Sequence, residues 1–410
     1  MYPEAEAGQV MRDLHCAHAR YVWNLAVEQQ SWWRPGRCPA PGSAERQRQL
    51  ARARQAEPWL REGSSAVQQQ ALRDYDHALA AFFDPGNPAR KPGFRSKRGT
   101  QGFVIRDVKV CRVSRKWGEL FVPKCGRVRF RWSRPLPRKP GMARVTFDRA
   151  GRWHVSFPGA QTAVERVPGA APGVGVDRGV RTALVTSGGQ HYRAPRISDR
   201  DAERYLILQR KHTRQKPGSK RREKTRRQMA AITARVADRR KDRVGKLSTR
   251  LVVGNDLIVF EQLAITGMVK KPAPEPDPER AGGYLPNRAR AKAGLNRGIL
   301  ASAWGALGTR TRQKAGASGV TVIFVNPRFT SQQCHACGHV APASRESQAV
   351  FRCVACGHAD HADVNAARNI LARGLKAAGG GPVPAHAPGH RGPRPHKPAK
   401  AAAETTRSAA

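Results

Sequence analysis

No stretch of this chain approaches the run of about eighteen apolar residues that a membrane-spanning helix needs. Its opening residues, MYPEAEAGQVMRDLH, lack the apolar core of a signal peptide, and no basic, strongly amphipathic end segment marks a membrane-surface anchor. Negative charge is scarce as well: 30 Asp+Glu stand against 75 Lys+Arg, a formal charge of +45. An excess of that size repels itself in a compact state unless a polyanion is bound. The absences therefore direct the reading to a protein of the reducing cytoplasm whose counter-charge is nucleic acid, with no membrane partner. In that compartment Cys16, Cys38, Cys111 and Cys125 are expected to be plain thiols.

What is present is concentrated in residues 326–371, NPRFTSQQCHACGHVAPASRESQAVFRCVACGHADHADVNAARNIL. Two Cys-x-x-Cys pairs, Cys334/Cys337 and Cys353/Cys356, are separated by fifteen residues, and Asp363 stands seven positions past the last thiol. Four soft ligands delivered two at a time by short turns suit tetrahedral Zn²⁺. Gly338 and Gly357 each follow the second Cys of a pair, where a knuckle needs backbone freedom that a β-carbon restricts. Two disulfides, or four unpaired thiols, are the competing readings; the paired spacing favours zinc.

With 410 residues, 39% of them apolar, the chain is long enough for two or three domains. Residues 1 to about 83 read as helical: Val10, Leu14, Tyr21 and Leu25 recur at helical spacing, as do Val67, Leu72, Tyr75, Leu79 and Phe82. Trp32-Trp33-Arg-Pro-Gly and the segment 39–42 interrupt them. A basic loop at 90–98, centred on Phe94, offers phosphate contacts. Strands follow: Val128 to Trp132 alternates strictly, and Val145 to Phe147 and Trp153 to Phe157 form a hairpin across the 148–151 turn. A small β-barrel or curled sheet over about 84–160 fits, with Arg127, Arg129 and Arg131 on its polar face.

A Gly/Pro-rich linker at 168–172 leads to GVGVDRGVRTALVTSGGQHYRAP, in which short apolar runs flank Asp177. An Asp inside a strand opposes β-propensity, so its presence is informative. Residues 199–251 form an intensely basic helical region broken at Pro217-Gly218, with a stripe of Met229, Ile232, Val236, Val244, Leu247 and Leu251 for packing and arginines elsewhere for phosphate. Residues 256–261 read as a buried strand ending in Glu261. Residues 270–286, with five prolines, read as a mobile loop. Residues 295–316 return to helix, 320–325 to strand, and Asp363 then opens a last helix at a capping position. Past Gly374 the composition is that of a tail, in which His386, His390 and His396 are solvated residues and not ligands.

Three strands, basic helices, a strand, a helix, a strand and a final helix is the order of a ribonuclease-H-like α/β core. Taken alone, Asp177 is a turn residue pairing with Arg178, Glu261 a strand-end ion pair and Asp363 a cap. Together they fall where one fold would gather them on one sheet edge, and three clustered carboxylates repel unless cations sit between them. Two Mg²⁺ held by these acids would support phosphodiester hydrolysis.

GVDRGV at 175–180, VFEQL around Glu261, FTSQQCHACG at 329–338 and DVNAARNIL at 363–371 resemble the transposon-encoded OrfB/TnpB proteins, relatives of type V CRISPR effectors. YVWNLA at 21–26, QQQALRDYDHALAAFF at 68–83, PGFRSK at 92–97 and RPLP at 134–137 extend the resemblance over nearly all of the chain before the tail. It implies an RNA-guided DNA endonuclease that binds a guide RNA and target DNA. The implied parts are a helical recognition part at 1–83 and a wedge-like β-barrel at 84–167. A RuvC-type nuclease core follows at 173–327 and 361–374, with an inserted zinc ribbon at 328–360 and a basic tail at 375–410. By the match of motifs Asp177, Glu261 and Asp363 correspond to the catalytic acids that hold Mg²⁺, and Cys334, Cys337, Cys353 and Cys356 to the zinc ligands. Two departures stand out. The family pattern has a short basic strand of the barrel ahead of the YP found here as Tyr2-Pro3, which bears on guide-RNA affinity more than on nuclease chemistry. His361 stands where a basic side chain is common.

Other functions compete. A guided, nuclease-inactive repressor would have the same build but is expected to have lost an acid. A DNA-joining transposase would share the metal chemistry, and a zinc-ribbon transcription or ribosomal factor would explain charge and thiols but not the acids. The cutting mechanism requires all three carboxylates on one side of the sheet.

Overall fold

The computed structural model describes residues 1–33, 36, 39–137, 140–159, 162–167, 171–280 and 282–379. Cys38, the start of the 168–172 linker and the tail histidines lie outside these residues. The described chain divides into two compact units, one built from Met1–Arg12 with residues 97–379, the other from Asp13–Ser96. Among the described residues no helix is long and apolar enough to cross a membrane.

The first helix, α1 (Ala5–Val10), continues through a π-helical turn at Met11–Cys16 into α2 (Ala17–Ser31). The Asp13–Ser96 unit adds α3 (Ser43–Ala56), α4 (Pro58–Glu62) and α5 (Ser65–Phe83). Its core is Val22, Trp23, Leu50, Leu60, Val67, Leu72 and Tyr75, all buried. The helical periodicity read from the sequence marks the packed face of α5, where Val67, Leu72 and Tyr75 are buried, but not that of α2: Val22, Trp23 and Ala26 pack there, while Tyr21 is exposed and Leu25 only half-buried. The basic loop is tied down locally: Trp23 Nε1 donates to the Gly93 carbonyl at 2.9 Å, and the Arg95 guanidinium lies 3.4 Å from the Trp23 ring.

The other unit begins with six strands: β1 (Gln101–Arg106), β2 (Val110–Arg112), β3 (Trp117–Val122), β4 (Gly126–Arg131), β5 (Met142–Phe147) and β6 (Trp153–Ser156). They form two three-stranded antiparallel sheets, ordered β1-β5-β6 and β2-β3-β4. The expected hairpin is present, with Phe147 opposite Trp153. In β4, Val128 and Phe130 are buried while Arg127, Arg129 and Arg131 are exposed, and Glu119 on β3 pairs with Arg129 at 3.3 Å. The Tyr2 amide donates to the Arg129 carbonyl at 2.8 Å, so the start of the chain borders the second sheet.

A five-stranded sheet follows, ordered β11-β10-β7-β8-β9. Its strands are β7 (Val174–Asp177), β8 (Leu184–Thr186), β9 (His191–Tyr192), β10 (Leu257–Glu261) and β11 (Thr321–Val325). β10 runs parallel to both β7 and β11, whereas β8 runs antiparallel to its two neighbours, β7 and β9. Between them lie α6 (Asp199–Arg214) and α7 (Lys220–Gly254), separated at Pro217-Gly218 as expected. After a short α8 (Ile265–Met268), the described residues of 270–286 form no helix or strand, but Pro276 and Tyr284 pair as an isolated bridge. The helix expected over 295–316 is two: α9 (Ala289–Ser302) and α10 (Trp304–Ala317), separated at Ala303 with φ of 56°. A left-handed residue cannot continue an α-helix, and no Gly or Pro advertises the break.

The central sheet is buried on both faces. Val174, Val176, Ile258 and Phe260 pack against Leu251 and Val252 of α7 and Leu307 and Ala315 of α10. On the opposite face Leu257, Val259, Ile323 and Val325 meet Ile370 of the last helix, α11 (Ala362–Gly379). Full burial of each such side chain contributes about 1.5–3 kcal/mol. α11 approaches closely because small residues allow it: a Cβ at Gly175 would overlap the Ala367 carbonyl and the Leu371 amide, and one at Gly374 would overlap Val259. The helix runs past the 374 boundary, to Gly379.

Candidate active site and metal-binding ribbon

Parallel pairing of β7 and β10 sets the site's geometry. Phe260 is in register with Val176, so the next residues, Glu261 and Asp177, are neighbours at the carboxyl ends of adjacent strands. Adjacent strands lie about 4.8 Å apart. Side chains alternate across a strand: Val176 and Phe260 face α7 and α10, so Asp177 and Glu261 share the α11 side. Asp363, in the first turn of α11, is the third acid on that side. Its charge and that of Glu261 both act on Asp177. Burial first, and then these two carboxylates, push the Asp177 carboxyl up to about 7. Burial likewise raises Glu261. The structure therefore brings together all three acids singled out by the sequence.

Neighbouring side chains hold them. The Thr330 hydroxyl donates to Glu261 Oε1 at 2.6 Å. Arg178 is buried; its guanidinium donates to the backbone carbonyl of Glu261, while its backbone amide donates to the Asp177 carboxyl. Burial draws Arg178 down to about 10. Arg345 Nη2 lies 3.1 Å from Asp363 Oδ1. Asp363 is one residue inside the helix rather than its cap, and His361 Nδ1 accepts from the Asp363 amide at 3.2 Å. The sequence reading missed Thr330, Arg345 and the capping role of His361. Thr330 lies within the FTSQQC motif, but nothing local to Arg345 separates it from the chain's other arginines.

The cysteines converge as expected. One ligand atom from each of Cys334, Cys337, Cys353 and Cys356 lies within 4.8 Å of the others. The Cys334–Cys356 sulfurs are 3.8 Å apart and the Cys337–Cys353 sulfurs 3.6 Å. A tetrahedron with Zn–S bonds of about 2.3 Å has edges of about 3.8 Å, so the spacing fits a tetrahedral ion. It is far too long for disulfides, whose sulfurs are about 2.05 Å apart. The two knuckles repeat one another: Gly338 and Gly357 have φ of 79° and 72°, and their amides donate to the carbonyls of Cys334 and Cys353 at 2.9 Å. Among the described residues, Cys16, Cys111 and Cys125 form no disulfide.

The ribbon contributes two short strands, β12 (Val350–Arg352) and β13 (Ala359–His361), and is bound to α11 by side chains of the DVNAARNIL motif. Asn365 Nδ2 donates to the Gln333 carbonyl at 2.7 Å while its Oδ1 accepts from the His335 amide at 3.0 Å. One turn on, Asn369 Nδ2 donates to the carbonyls of Gln333 at 2.6 Å and Thr330 at 3.0 Å. Both asparagines are buried. The motif thus joins the cysteine knuckles to the helix that carries Asp363.

Residues 156–271 match the OrfB family described as "Probable transposase", and residues 304–370 match the "Cas12f1-like, TNB domain". The "Putative RNA-guided DNA endonuclease" of Streptomyces pristinaespiralis is 31% identical over 92% of this chain and 88% of its own length. The "Putative RNA-guided DNA endonuclease InsQ" of Escherichia coli strain K12 is 33% identical over 77% of this chain and 76% of its own. A solved Cas12f1–sgRNA–target DNA complex aligns at 12% identity and a TM-score of 0.43, covering 90% of this chain and 83% of that one. With conserved similarity extending over most of both curated relatives, the chain belongs to the transposon-encoded OrfB/TnpB family.

Proposed function

We propose that this protein is an RNA-guided DNA endonuclease encoded by a transposable element and acting in the cytoplasm. In this reading its ribonuclease-H-like, RuvC-type core holds two Mg²⁺ on Asp177, Glu261 and Asp363, and Zn²⁺ occupies the four-cysteine cluster. The observation that carries the reading is the convergence of three carboxylates from β7, β10 and α11, with the Asp177 carboxyl raised to about 7 by burial and the other two. Such mutual repulsion is relieved by divalent cations, and an all-oxygen donor set suits Mg²⁺. A bound Mg²⁺ pair supplies an activated water and charge neutralisation at the departing 3′ oxygen.

The chain's own residues orient the reaction. Thr330 fixes one Glu261 oxygen, leaving the other for a cation. Arg345, beside Asp363, presents a guanidinium suited to a non-bridging phosphate oxygen. The exposed arginines of α6 and α7 would follow the nucleic-acid backbone. Residues 1–83 and 84–167 would serve as the recognition part and wedge-like barrel that grip guide RNA and the guide–target duplex, with 173–327 and 361–374 as the nuclease and 328–360 as the ribbon.

The test is cleavage of guide-matched DNA by protein purified with its RNA. Asp177→Ala is expected to abolish Mg²⁺-dependent cutting with nucleic-acid binding changed by no more than about threefold. Retained cutting would remove Asp177 from the mechanism. Binding without cutting by the unaltered protein would instead favour a guided repressor.

A further inference from the structure

The knuckles that present the four cysteines also present two histidines. His335 directly follows Cys334, and His358 directly follows Gly357. Their ring centroids lie 4.6 Å apart. Asp360, on β13, completes a group in which one ligand atom from each residue lies within 4.8 Å of the others. His335 Nδ1 and His358 Nε2 are buried atoms with no hydrogen-bond partner. Orphaned buried ring nitrogens are unfavourable, and a cation that takes up their lone pairs relieves both. The Asp360 carboxylate is already oriented: it accepts from the His361 amide at 2.7 Å and from Arg368 Nη1 at 2.8 Å. Outer contacts of this kind orient a metal-ligating carboxylate.

We propose that His335, His358 and Asp360 form a second transition-metal site on the ribbon, separate from both the four-cysteine cluster and the three acids, that takes Zn²⁺ with water as its fourth ligand. Two imidazoles and one carboxylate are a donor set for a borderline ion; Mg²⁺ and Ca²⁺ prefer oxygen throughout. Three protein ligands with an open fourth position is a familiar zinc arrangement. Bonds of about 2.0–2.1 Å make tetrahedral edges of about 3.4 Å, so the ligand atoms draw together on binding, a movement that ring rotation supplies. Arg368 Nη1 also lies 3.4 Å from His335 Nε2. With metal on Nδ1 the imidazole carries its proton on Nε2, so Arg368 gives up that contact and keeps Asp360. The second ion would clamp the two knuckles to each other and to the segment leading into Asp363. This inference does not rest on the nuclease reading.

The experiment is a Zn²⁺ titration of the full chain against a chromophoric chelator, in an Asp177→Ala background that weakens competition from the acids. Two equivalents are expected: a tight one at the cysteines and a weaker one that binds at least about tenfold less tightly in His335→Ala and in His358→Ala. Loading with Co²⁺ provides a readout free of folding effects in the histidine variants. The first equivalent should show thiolate charge-transfer absorption, and the second should add ligand-field bands without increasing it. A single equivalent in the parent chain, a second equivalent undiminished in both histidine variants, or a second Co²⁺ that adds thiolate absorption would each overturn the proposal.

Discussion

Arg345 and Asp363 form an ion pair, Nη2 to Oδ1 at 3.1 Å, that reaches from the ribbon to the first turn of α11. The arginine follows the 3₁₀ turn at Pro342–Ser344, and its charge also lowers Asp177, against the rise imposed by burial. The ribbon therefore carries a cationic side chain to the acids.

Arg345→Ala is expected to slow DNA cleavage on the order of 100-fold, the scale of losing one charged donor at a reacting phosphate. Arg345→Lys should recover only part of this, since an ammonium lacks the guanidinium fork. Single-turnover cleavage measured beside DNA binding checks it; an unchanged rate in Arg345→Ala would leave the ion pair a purely structural role.

In magnesium-free buffer the acids make stability depend on pH. Asp177 rises from 3.8 to about 7 on folding, so between those values the folded chain keeps a proton that the unfolded chain has released. Its contribution is complete below the unfolded value and disappears as pH rises through the folded one; the raised Glu261 acts in the same sense. The melting temperature is expected to fall from about pH 4 to about pH 8, with Asp177 contributing on the order of 4 kcal/mol across that range. Asp177→Asn should remove most of that slope in scanning calorimetry, and a slope equal to the parent's would contradict the assignment.

Cys334→Ser removes one of four thiolates whose metal binding is folding energy. Elemental analysis should show the loss of the cysteine-bound zinc equivalent, and the melting temperature should fall on the order of 10 °C. Cleavage should fall with it, because Asn365 and Asn369 hold α11 to the same knuckle. A zinc content equal to the parent's would show that Cys334 is not a ligand.

Gly175→Val places side-chain atoms where the Ala367 carbonyl and Leu371 amide already lie. Because those atoms are backbone, α11 must move, and a loss of at least about 2 kcal/mol in urea unfolding is expected. Gly245→Ala, in open space within α7, is the control and should stabilise by about 0.5–1 kcal/mol.

Much of this was legible in the chain before any coordinates. The thiol spacing foretold the cluster, and the positive-φ glycines of both knuckles stand where their sequence position required them. Asp177 and Glu261 are conspicuous as acids in or at the end of apolar strands, and Asp363 as an acid at the head of a helix. The break between α9 and α10 was hidden because Ala303 is an ordinary helix former; only its surroundings impose a left-handed backbone. Arg345 was hidden for a different reason: its importance is positional, and 75 basic residues supply no contrast.

The sequence by itself determined what is local and covalent: which runs are strands or helices, the two thiol pairs, and a charge of +45 that demands a polyanion. The tertiary structure alone decided what meets what. Parallel register set Glu261 beside Asp177, close packing at Gly175 brought α11 and Asp363 onto them, and the ribbon's attachment through Asn365 and Asn369 delivered Arg345. Propensity and spacing act over a few neighbouring residues, whereas such meetings depend on strand order and on how closely two surfaces fit, which no short stretch of chain encodes.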